Sequence, residues 1–333
     1  MTAVLVIDRQ HPEPGAIAKA AEILRDGGLV AFPTETVYGL GANALDAAAV
    51  ARVFEAKGRP PTNPLIVHLA AVDQVAQVVA DWPEKAARLV ERFWPGPLTL
   101  VLPKRRELPD IVTAGGPTVA VRVPAHQVAQ ALLKQAGVPI AAPSANRSTE
   151  ISPTTAGHVL RGLEGRIDLV LDAGPTSGGI ESTVLDVTTA PPRLLRPGLV
   201  SRSDLEAIVG PIVQSDDLVT SSAGLPRRSP GQMPRHYAPR VPLELADGDG
   251  RTRVEELAAA GRRIGWVTWP GVAEVPGVER VELPCEPVAY AAGLYAALHD
   301  LDAAGVERIV VAKPPETDAW LAVRDRLRRA AHS

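Results

Sequence analysis

Residues 29–44 read LVAFPTETVYGLGANA, a short apolar run followed by a stretch with two glycines and several polar side chains. The first four residues predict a buried strand, and the remainder is typical of a functional loop. Gly39, Gly41 and Ala44 form a GxGxxA pattern, which opens some dinucleotide-binding folds. That fold needs its first glycine directly at the strand end, but six residues separate Phe32 from Gly39. A dinucleotide-dependent oxidoreductase is therefore an alternative that depends on this stretch alone.

Around this stretch, the helices and strands predicted in residues 1–210 do not follow a regular β-α-β-α alternation. This order predicts a mixed α/β domain, of the α+β type and not doubly wound. The strands that we expect lie at 29–32, 65–69, 98–102, 118–123, 138–142, 168–172 and 183–187. The helices that we expect lie at 15–26, from the Asp46 cap to about Lys57, and at 81–93, 127–136, 154–161 and 202–209.

The rest of the chain divides into two further parts. Residues 211–240 are rich in proline, serine and glycine and predict a linker. Residues 241–333 predict a smaller α/β domain. Its expected strands lie at 241–245, 263–268 and 308–311, and its expected helices lie near 251–260, 288–304 and 319–330.

Composition narrows the function classes. The formal net charge of −3 gives no overall attraction to nucleic acid or to membrane surfaces, and an aromatic content of 4% is low for base stacking. The single Cys285 excludes an intramolecular disulfide and a multi-cysteine metal site. No run of 18 apolar residues and no signal peptide is visible, so we expect a cytoplasmic protein without a membrane segment.

Lys57 and Arg59 lie where a predicted helix must end, since Gly58 and two prolines follow. Two cations on one short turn, with the amide of Asn63 four residues after Arg59, are suited to clamping phosphates. Basic residues are also favoured at any helix C-terminus, where they are solvated. The pattern by itself leaves both interpretations open.

Residues 118–123, TVAVRV, alternate strictly, which places Thr118, Ala120 and Arg122 on one face of a strand. An arginine beside a small alanine leaves room for an anionic ligand such as a carboxylate. An arginine on the solvent face of an edge strand fits the pattern equally well. His68 lies within a strand, where a histidine is more often a buried structural residue than a ligand.

Small polar residues follow other predicted strands. Ser144 and Asn146 offer a hydroxyl and an amide after one strand, although such residues are also common in turns. Ser152 fits a helix N-cap, Ser182 begins a strand, and Arg196 ends one. Each signal is weak alone, but together they recur at successive strand ends, as the residues of a cleft do.

Several stretches, in this order, are similar to the YrdC-type L-threonylcarbamoyladenylate synthase family in its long two-domain form. The stretches are FPTETVYGLGANA, KGRPPTNPLIVHL, FWPGPLTLVL, VAVRVPAH, PIAAPSANRS, ESTVLDV and LLRPG, with SPGQMPRHYAP in the linker. The resemblance implies a YrdC-like first domain, with a twisted mixed sheet and flanking helices, and a smaller Rossmann-like α/β second domain. It also implies that L-threonine, bicarbonate and ATP are converted to threonylcarbamoyl-AMP and pyrophosphate, with Mg²⁺ bound through the ATP phosphates.

The same resemblance assigns roles to residues of this chain. Lys57 and Arg59 are the expected catalytic cations. The expected ATP contacts are Lys57, Arg59, Asn63, Thr118, Ser144, Asn146, Ser152, Arg196 and Tyr237. The expected threonine contacts are Thr36, His68, Arg122, Ala142 and Ser182. We expect Lys57 and Arg59 at an exposed cleft, so that their replacement abolishes turnover with little loss of stability.

Other consequences of the resemblance concern partners. The product is expected to pass to a tRNA threonylcarbamoyl transferase complex, which modifies the adenosine next to the anticodon, while direct contact with tRNA stays open. The linker is expected to act as a lid over the nucleotide. A different class of function, a non-catalytic module that binds double-stranded RNA, would need a local basic patch, because residues 1–210 carry 20 basic and 21 acidic side chains.

Overall fold

The computed structural model describes residues 1–214 and 236–332. In the first of these ranges, all the strands join one mixed sheet. They are β1 (Ala3–Val6), β2 (Val30–Pro33), β3 (Tyr38–Asn43), β4 (Ile66–His68), β5 (Leu98–Pro103), β6 (Thr118–Arg122), β7 (Ile140–Ala141), β8 (Leu169–Asp172), β9 (Thr183–Asp186), β10 (Arg193–Arg196) and β11 (Val213–Gln214). The spatial order is β1-β8-β2-β3-β7-β4-β6-β5-β9-β10-β11. The predicted mixed sheet is therefore confirmed.

Helices cover both faces of this sheet. They are α1 (Pro14–Arg25), α2 (Ala47–Lys57), α3 (Glu84–Phe93), α4 (Gln127–Ala136), α5 (Ala156–Leu163) and α6 (Arg202–Val209). Along β2, Val30 belongs to the apolar cluster that includes α1 and α4, whereas Ala31 belongs to the cluster on the opposite face, which includes α2. Because successive strand residues point to opposite faces, such a strand needs apolar residues throughout.

Much of the stretch after β2 is a strand, Tyr38–Asn43, and not the loop that its sequence suggests; only residues 34–37 form a turn. β3 runs antiparallel to β2, with Phe32 opposite Gly39 and Val30 opposite Gly41. A Cβ atom on Gly41 would lie 2.9 Å from both Ile140 and Phe32, so glycine is required for the close packing. Because the GxGxxA pattern lies largely within an antiparallel strand, it does not form the strand-to-helix turn of a dinucleotide site.

The second range contains a smaller parallel sheet. Its strands are β12 (Leu243–Ala246), β13 (Ile264–Thr268), β14 (Glu279–Glu282) and β15 (Arg308–Ala312), in the order β12-β15-β13-β14. Its helices are α7 (Arg251–Ala259), α8 (Pro287–Ala303) and α9 (Leu321–Ala330). β14 is absent from the expected strands because this edge strand, ERVE, has three charged residues in four. The α/β class predicted for this unit is confirmed.

Part of the expected linker is ordered against the two sheets. β11 pairs in parallel with β10, and His236 and Tyr237 are buried. Residues 215–235, most of the expected linker, lie outside the described residues. Among the helices of the described ranges, none is long and apolar enough to cross a membrane.

Candidate active site

A narrow pocket lies where β4, β6 and β10 end and where the β2–β3 turn approaches the segment after β7. Its volume is about 40 Å³. Nine of the residues expected at the site line it: Thr36, Arg59, His68, Arg122, Ala142, Ser144, Ser182, Arg196 and Tyr237. The structure thus brings together side chains that are up to 201 positions apart in the sequence, counted from Thr36 to Tyr237.

Arg122 forms one end of the pocket and is 3% exposed. Its Nε donates to the carbonyl of Gly96 at 3.0 Å, and its Nη1 donates to Thr36 Oγ1 at 3.0 Å. Its Nη2 lies 2.7 Å from the Glu35 carboxylate. The guanidinium is therefore held rigidly at the pocket wall, and it is not a solvent-facing residue of an edge strand.

His68 lies beside Arg122, because β4 and β6 run parallel and these two residues are paired in register. Burial and then the Arg122 charge lower the pKa of His68 to about 3. Its ring is therefore neutral near neutral pH. Nδ1 is buried and has no hydrogen-bond partner among the described residues. This arrangement suits a neutral polar contact to a ligand better than a charged one.

The buried His68 predicts a pH dependence of stability. In the unfolded chain the imidazole gains its proton as the pH falls through about 6.5. In the folded protein it stays neutral down to about pH 3. Between these values the unfolded state binds more protons, so the free energy of unfolding should fall as the pH falls, by up to about 1.4 kcal/mol per pH unit from this group. In urea titrations from pH 6 to 4, His68→Gln should show a shallower decline than the parent. Equal slopes would contradict this prediction.

Ser182 and Arg196 form a second wall. Arg196 Nε donates to the Ser182 carbonyl at 3.0 Å, and its Nη2 donates to Ser182 Oγ at 3.0 Å. Ser182 Oγ also lies 2.7 Å from Thr99 Oγ1. Both expected residues are buried, and the arginine holds the chain directly before β9.

Lys57 and Arg59 are buried rather than exposed, at 1% and 7% of their accessible surface. Lys57 Nζ donates to the carbonyls of Ser144 and Asn146, and it lies behind the pocket lining. The expectation of an exposed cleft is therefore wrong for both cations. Lys57 is buried because it lies on the apolar face of α2, one and two turns after Val53 and Val50. Gly58, at φ 60°, ends this helix, and Arg59 follows it into the pocket wall.

Burial lowers the pKa of both cations. The pKa of Lys57 lies well below its usual value because of burial and then the nearby Arg59 charge. Burial is also the main cause that lowers the pKa of Arg59, to about 9, and Arg196 contributes in the same direction. Clustered cations that are poorly solvated bind an anion strongly, because the anion removes their mutual repulsion.

Four other expected nucleotide contacts do not line the pocket. Asn63 is buried, and its carbonyl accepts from Arg59 Nε at 3.0 Å. Thr118 begins β6, four residues before Arg122 and hence about 13 Å away along an extended strand. Ser152 Oγ donates to Glu181 at the back of the wall.

Asn146 is the fourth of these residues. Its Nδ2 donates to the carbonyls of Arg147 and Glu150, at 2.9 and 2.8 Å. It lines a separate cavity of about 440 Å³ between the two units. Thus Asn146 shapes the loop after Ser144 in this structure, rather than facing the narrow pocket.

His236 and Tyr237 close the pocket from the linker side. Tyr237 is 1% exposed and has a φ of 61°, a backbone conformation that costs a non-glycine residue on the order of 1–3 kcal/mol. Its hydroxyl and the His236 Nδ1 are buried without hydrogen-bond partners in the part of the chain that the structure describes. Two polar atoms at one pocket are thus available to a ligand.

Four polar residues at or beside the pocket are not among the expected contacts: Thr34, Glu35, Glu181 and His236. Glu35 and Glu181 stand beside the expected Thr36 and Ser182, and each is paired with a buried arginine. His236 precedes Tyr237 and lines the pocket with it. The local signal for Glu35 and Glu181 is that each stands next to a hydroxyl residue. The arginine that pairs with each carboxylate is distant in the sequence, so no local pattern shows the pair.

The described residues contain no group of three or more His, Cys, Asp and Glu side chains that could hold a metal ion. The two carboxylates at the pocket wall, Glu35 and Glu181, lie 2.7 Å from Arg122 and from Arg326. A metal ion at this site would therefore need ligands that a substrate supplies.

Known proteins share both halves of this architecture. The Sua5/YciO/YrdC family model, described as telomere recombination, matches residues 22–198, and the model described as threonylcarbamoyl-AMP synthase, C-terminal domain, matches residues 200–332. The threonylcarbamoyl-AMP synthase of Bacillus subtilis is 45% identical, and the match covers 98% of this chain and 96% of the relative. That of Pyrococcus abyssi is 43% identical, with 98% and 97% covered.

A solved structure agrees with the sequence matches. The crystal structure of P. abyssi Sua5 complexed with L-threonine superposes with a TM-score of 0.92 at 42% identity, covering 99% of this chain and 98% of that one. The resemblance found from the sequence is thereby confirmed. The chain belongs to the threonylcarbamoyl-AMP synthase family, in its long two-domain form.

Proposed function

We propose that this pocket is where the protein, as a threonylcarbamoyl-AMP synthase, joins L-threonine, bicarbonate and ATP to form threonylcarbamoyl-AMP and pyrophosphate. The observation that carries the proposal is the separation of two kinds of arginine in one pocket. Arg122, with a planar fork held beside small hydroxyls, suits a carboxylate. Arg59 and Arg196, closer to the linker segment, suit phosphates.

For threonine, the proposed contacts are the side chains around Arg122. Thr36 and Ser182 offer hydroxyls, His68 offers a neutral ring, and the backbone at Ala142 borders the same pocket. In this structure the Glu35 carboxylate forms an ion pair with Nη2 of Arg122. The amino acid carboxylate would therefore share that guanidinium with Glu35 or displace it.

For ATP, the proposed contacts combine cations with small polar groups. Arg59, Arg196, Ser144 and Tyr237 line the pocket, and Lys57 supports the Ser144 loop from behind. Asn63, Thr118, Asn146 and Ser152 are proposed as further nucleotide contacts. They lie around the rim or behind the wall in this structure, so they would act when the site opens.

The chemistry needs cations and alignment more than a base. The threonine amine and bicarbonate form a carbamate with loss of water, and a carbamate oxygen then attacks the α-phosphorus of ATP as the bond to pyrophosphate breaks. Lys57 and Arg59 are the proposed catalytic residues. Arg59, which lines the pocket, would stabilise the charge that builds on the leaving pyrophosphate, and Lys57 would do so once its ammonium leaves the Ser144 and Asn146 carbonyls. Arg122 would bind the threonine carboxylate and so align the carbamate for attack on the α-phosphorus.

Magnesium is proposed as a companion of ATP, bound through the phosphates. The pocket fits this role, because both nearby carboxylates are already paired with arginines. Bound Mg²⁺ would add positive charge at the triphosphate. No residue of this chain is proposed as a direct metal ligand.

The linker is proposed to act as a lid. The closed pocket of about 40 Å³ is far smaller than the roughly 300–1,000 Å³ of ordinary ligand pockets. His236 and Tyr237 would therefore have to move for ATP to enter. When the nucleotide is bound, their unpartnered polar atoms would find acceptors or donors on it. We propose residues 1–210, 211–240 and 241–333 as the synthase domain, the lid and the C-terminal domain.

Replacing Tyr237 with phenylalanine tests the proposed nucleotide contact. The hydroxyl is buried and unpartnered, so its removal should leave the stability of the free protein unchanged or raise it by about 1 kcal/mol. The same change should raise the Kd for a non-hydrolysable ATP analogue about fivefold to tenfold, as expected for one lost hydrogen bond. Calorimetry and urea unfolding measure the two effects. An unchanged Kd would remove Tyr237 Oη from the nucleotide site.

The wider role follows from the product. A mixed anhydride of a carbamate and AMP is an activated group donor, so we propose that it passes to a separate tRNA threonylcarbamoyl transferase, in the cytoplasm. The acceptor is proposed to be the tRNA adenosine next to the anticodon. No observation on the described residues favours a separate RNA-binding function.

Pyrophosphate release tests the proposed activity directly. The purified protein should release pyrophosphate from ATP only when both L-threonine and bicarbonate are present, and chelation of Mg²⁺ should stop the release. Equal release without threonine or without bicarbonate would overturn the proposal. L-serine, which lacks the methyl group, is a suitable control for recognition of the amino acid side chain.

A further inference from the structure

A buried arginine from the C-terminal unit reaches the wall of the pocket. Arg326, on α9, is 1% exposed. Its Nε lies 2.7 Å from Glu181 Oε2, and its Nη2 donates to the Pro197 carbonyl at 3.0 Å. Its guanidinium carbon lies 5.0 Å from the centroid of the Tyr237 ring. One side chain therefore contacts three separate segments that border the site.

Each of these segments carries a residue of the proposed site. Glu181 directly precedes Ser182, Pro197 directly follows Arg196, and Tyr237 belongs to the closing segment. Because Arg196 also donates to both the carbonyl and the hydroxyl of Ser182, the first two segments are already joined. Arg326 joins the same two segments from behind, through side-chain and backbone acceptors.

Glu181 is the point where the two units share hydrogen bonds. It accepts from Tyr295 of α8 at 3.1 Å and from Ser152 of the first unit. Burial would raise the pKa of this carboxyl, but Arg326 and then Arg196 hold the pKa below its usual value. Glu181 is thus a buried carboxylate on the wall of a pocket proposed to bind phosphates, and Arg326 compensates its charge.

The two units are closely fitted beside this cluster. Gly179 has a φ of 71°, and a Cβ atom there would lie 2.3 Å from the Ala291 carbonyl and 2.5 Å from the Ala292 carbonyl of α8. The chain before Glu181 therefore lies against the backbone of α8 with no room for a side chain. A shift of α8 or α9 would displace the pocket wall.

We propose that Arg326 is a positioning residue for the nucleotide site, through which the C-terminal unit sets the placement of Ser182, Arg196 and Tyr237. This inference rests on the proposed function of the pocket. Without Arg326, the Glu181 carboxylate would repel ATP phosphates and compete for Arg196. The carbonyl of Pro197 and the ring of Tyr237 would also lose the Arg326 guanidinium, which contacts both of them.

The test compares four variants of the full chain: R326M, E181Q, the double variant E181Q/R326M, and R328M. Arg328 lies on the same helix, and more than half of its side chain is exposed, so R328M is a matched control. R326M should raise the Kd for a non-hydrolysable ATP analogue and the KM for ATP at least tenfold. R328M should change both by less than twofold.

The double variant separates positioning from stability. It removes both charges, and the amide oxygen that E181Q introduces can still accept from Ser152 and Tyr295, so its melting temperature should return close to that of the parent. Its Kd for the analogue should nevertheless stay at least threefold raised, because the contacts to Pro197 and Tyr237 are still missing. If Kd and melting temperature recover together, Arg326 is merely structural and the proposal is overturned. This comparison stands even if R326M fails to fold.

The analogue measurement also distinguishes the two proposals. If the parent releases no threonine-dependent pyrophosphate but R326M still weakens nucleotide binding, the proposed reaction fails and the positioning role stands. If the parent is active and binding is the same in the parent, R326M and the double variant, the positioning role fails alone.

Discussion

Replacing Lys57 with methionine is expected to lower kcat/KM for pyrophosphate release about 100- to 1,000-fold, the usual effect of losing one group that stabilises transition-state charge. The change should also lower the free energy of unfolding by about 1–3 kcal/mol. The activity loss has two contributions, the missing positive charge and the loosened pocket wall, whereas the stability loss comes from the broken hydrogen bonds alone. The buried ammonium of Lys57 donates to the carbonyls of Ser144 and Asn146, so its removal leaves two acceptors unpaired and frees the loop that borders the pocket.

Methionine keeps most of the lysine volume, so a cavity does not explain either effect. Lys134→Met is the control, since Lys134 is an exposed lysine on α4 and its replacement should change neither activity nor stability. Pyrophosphate release and urea unfolding, measured on the same preparations, give the two quantities. Activity within threefold of the parent would remove Lys57 from the catalytic group.

Replacing Arg122 with lysine is expected to raise the KM for threonine about 10- to 100-fold, with the KM for ATP changed less than about threefold, because about 1.5–3 kcal/mol is lost with a charged hydrogen bond. The guanidinium donates hydrogen bonds to Gly96 and Thr36, forms an ion pair with Glu35, and lines the pocket. A lysine ammonium keeps the charge but cannot reproduce a planar fork. The threonine carboxylate would therefore lose one of its two expected hydrogen bonds.

Arg106→Lys provides the matched control, because Arg106 is exposed in the segment after β5. Steady-state kinetics with each substrate varied separately checks the prediction. If the KM for ATP rises as much as the KM for threonine, Arg122 serves the whole site and the assignment to the threonine carboxylate is wrong.

Much of the fold follows from local patterns. Strict alternation predicts β6, and the apolar run at 98–102 predicts β5, since such patterns leave few other ways to bury the side chains. The helix expected at 202–209 is α6, which Ser201 caps at its start and Gly210 ends. β3 is missed because glycine disfavours strands, and the close packing at Gly41 that requires glycine depends on Ile140, a residue far along the chain.

The candidate site divides in the same way. Their residue types and their positions at strand ends indicate Arg122, Ser144, Ser182 and Arg196 as site residues. For each of them, however, the sequence fits a purely structural role as well. Only the register of β4 against β6 places His68 beside Arg122. Only the contacts of its ammonium with the Ser144 and Asn146 carbonyls show that Lys57 is buried.

The sequence by itself determined the mixed α/β class, the extent of its main helices, the family and the set of polar residues from which a site is built. These depend on local periodicity and on short ordered motifs, which one chain carries within itself. The tertiary structure alone decided which of these residues share a pocket, which cations are buried, and that Arg326 from the C-terminal unit pairs with Glu181. Such contacts join residues 145 positions apart, so no local pattern records them.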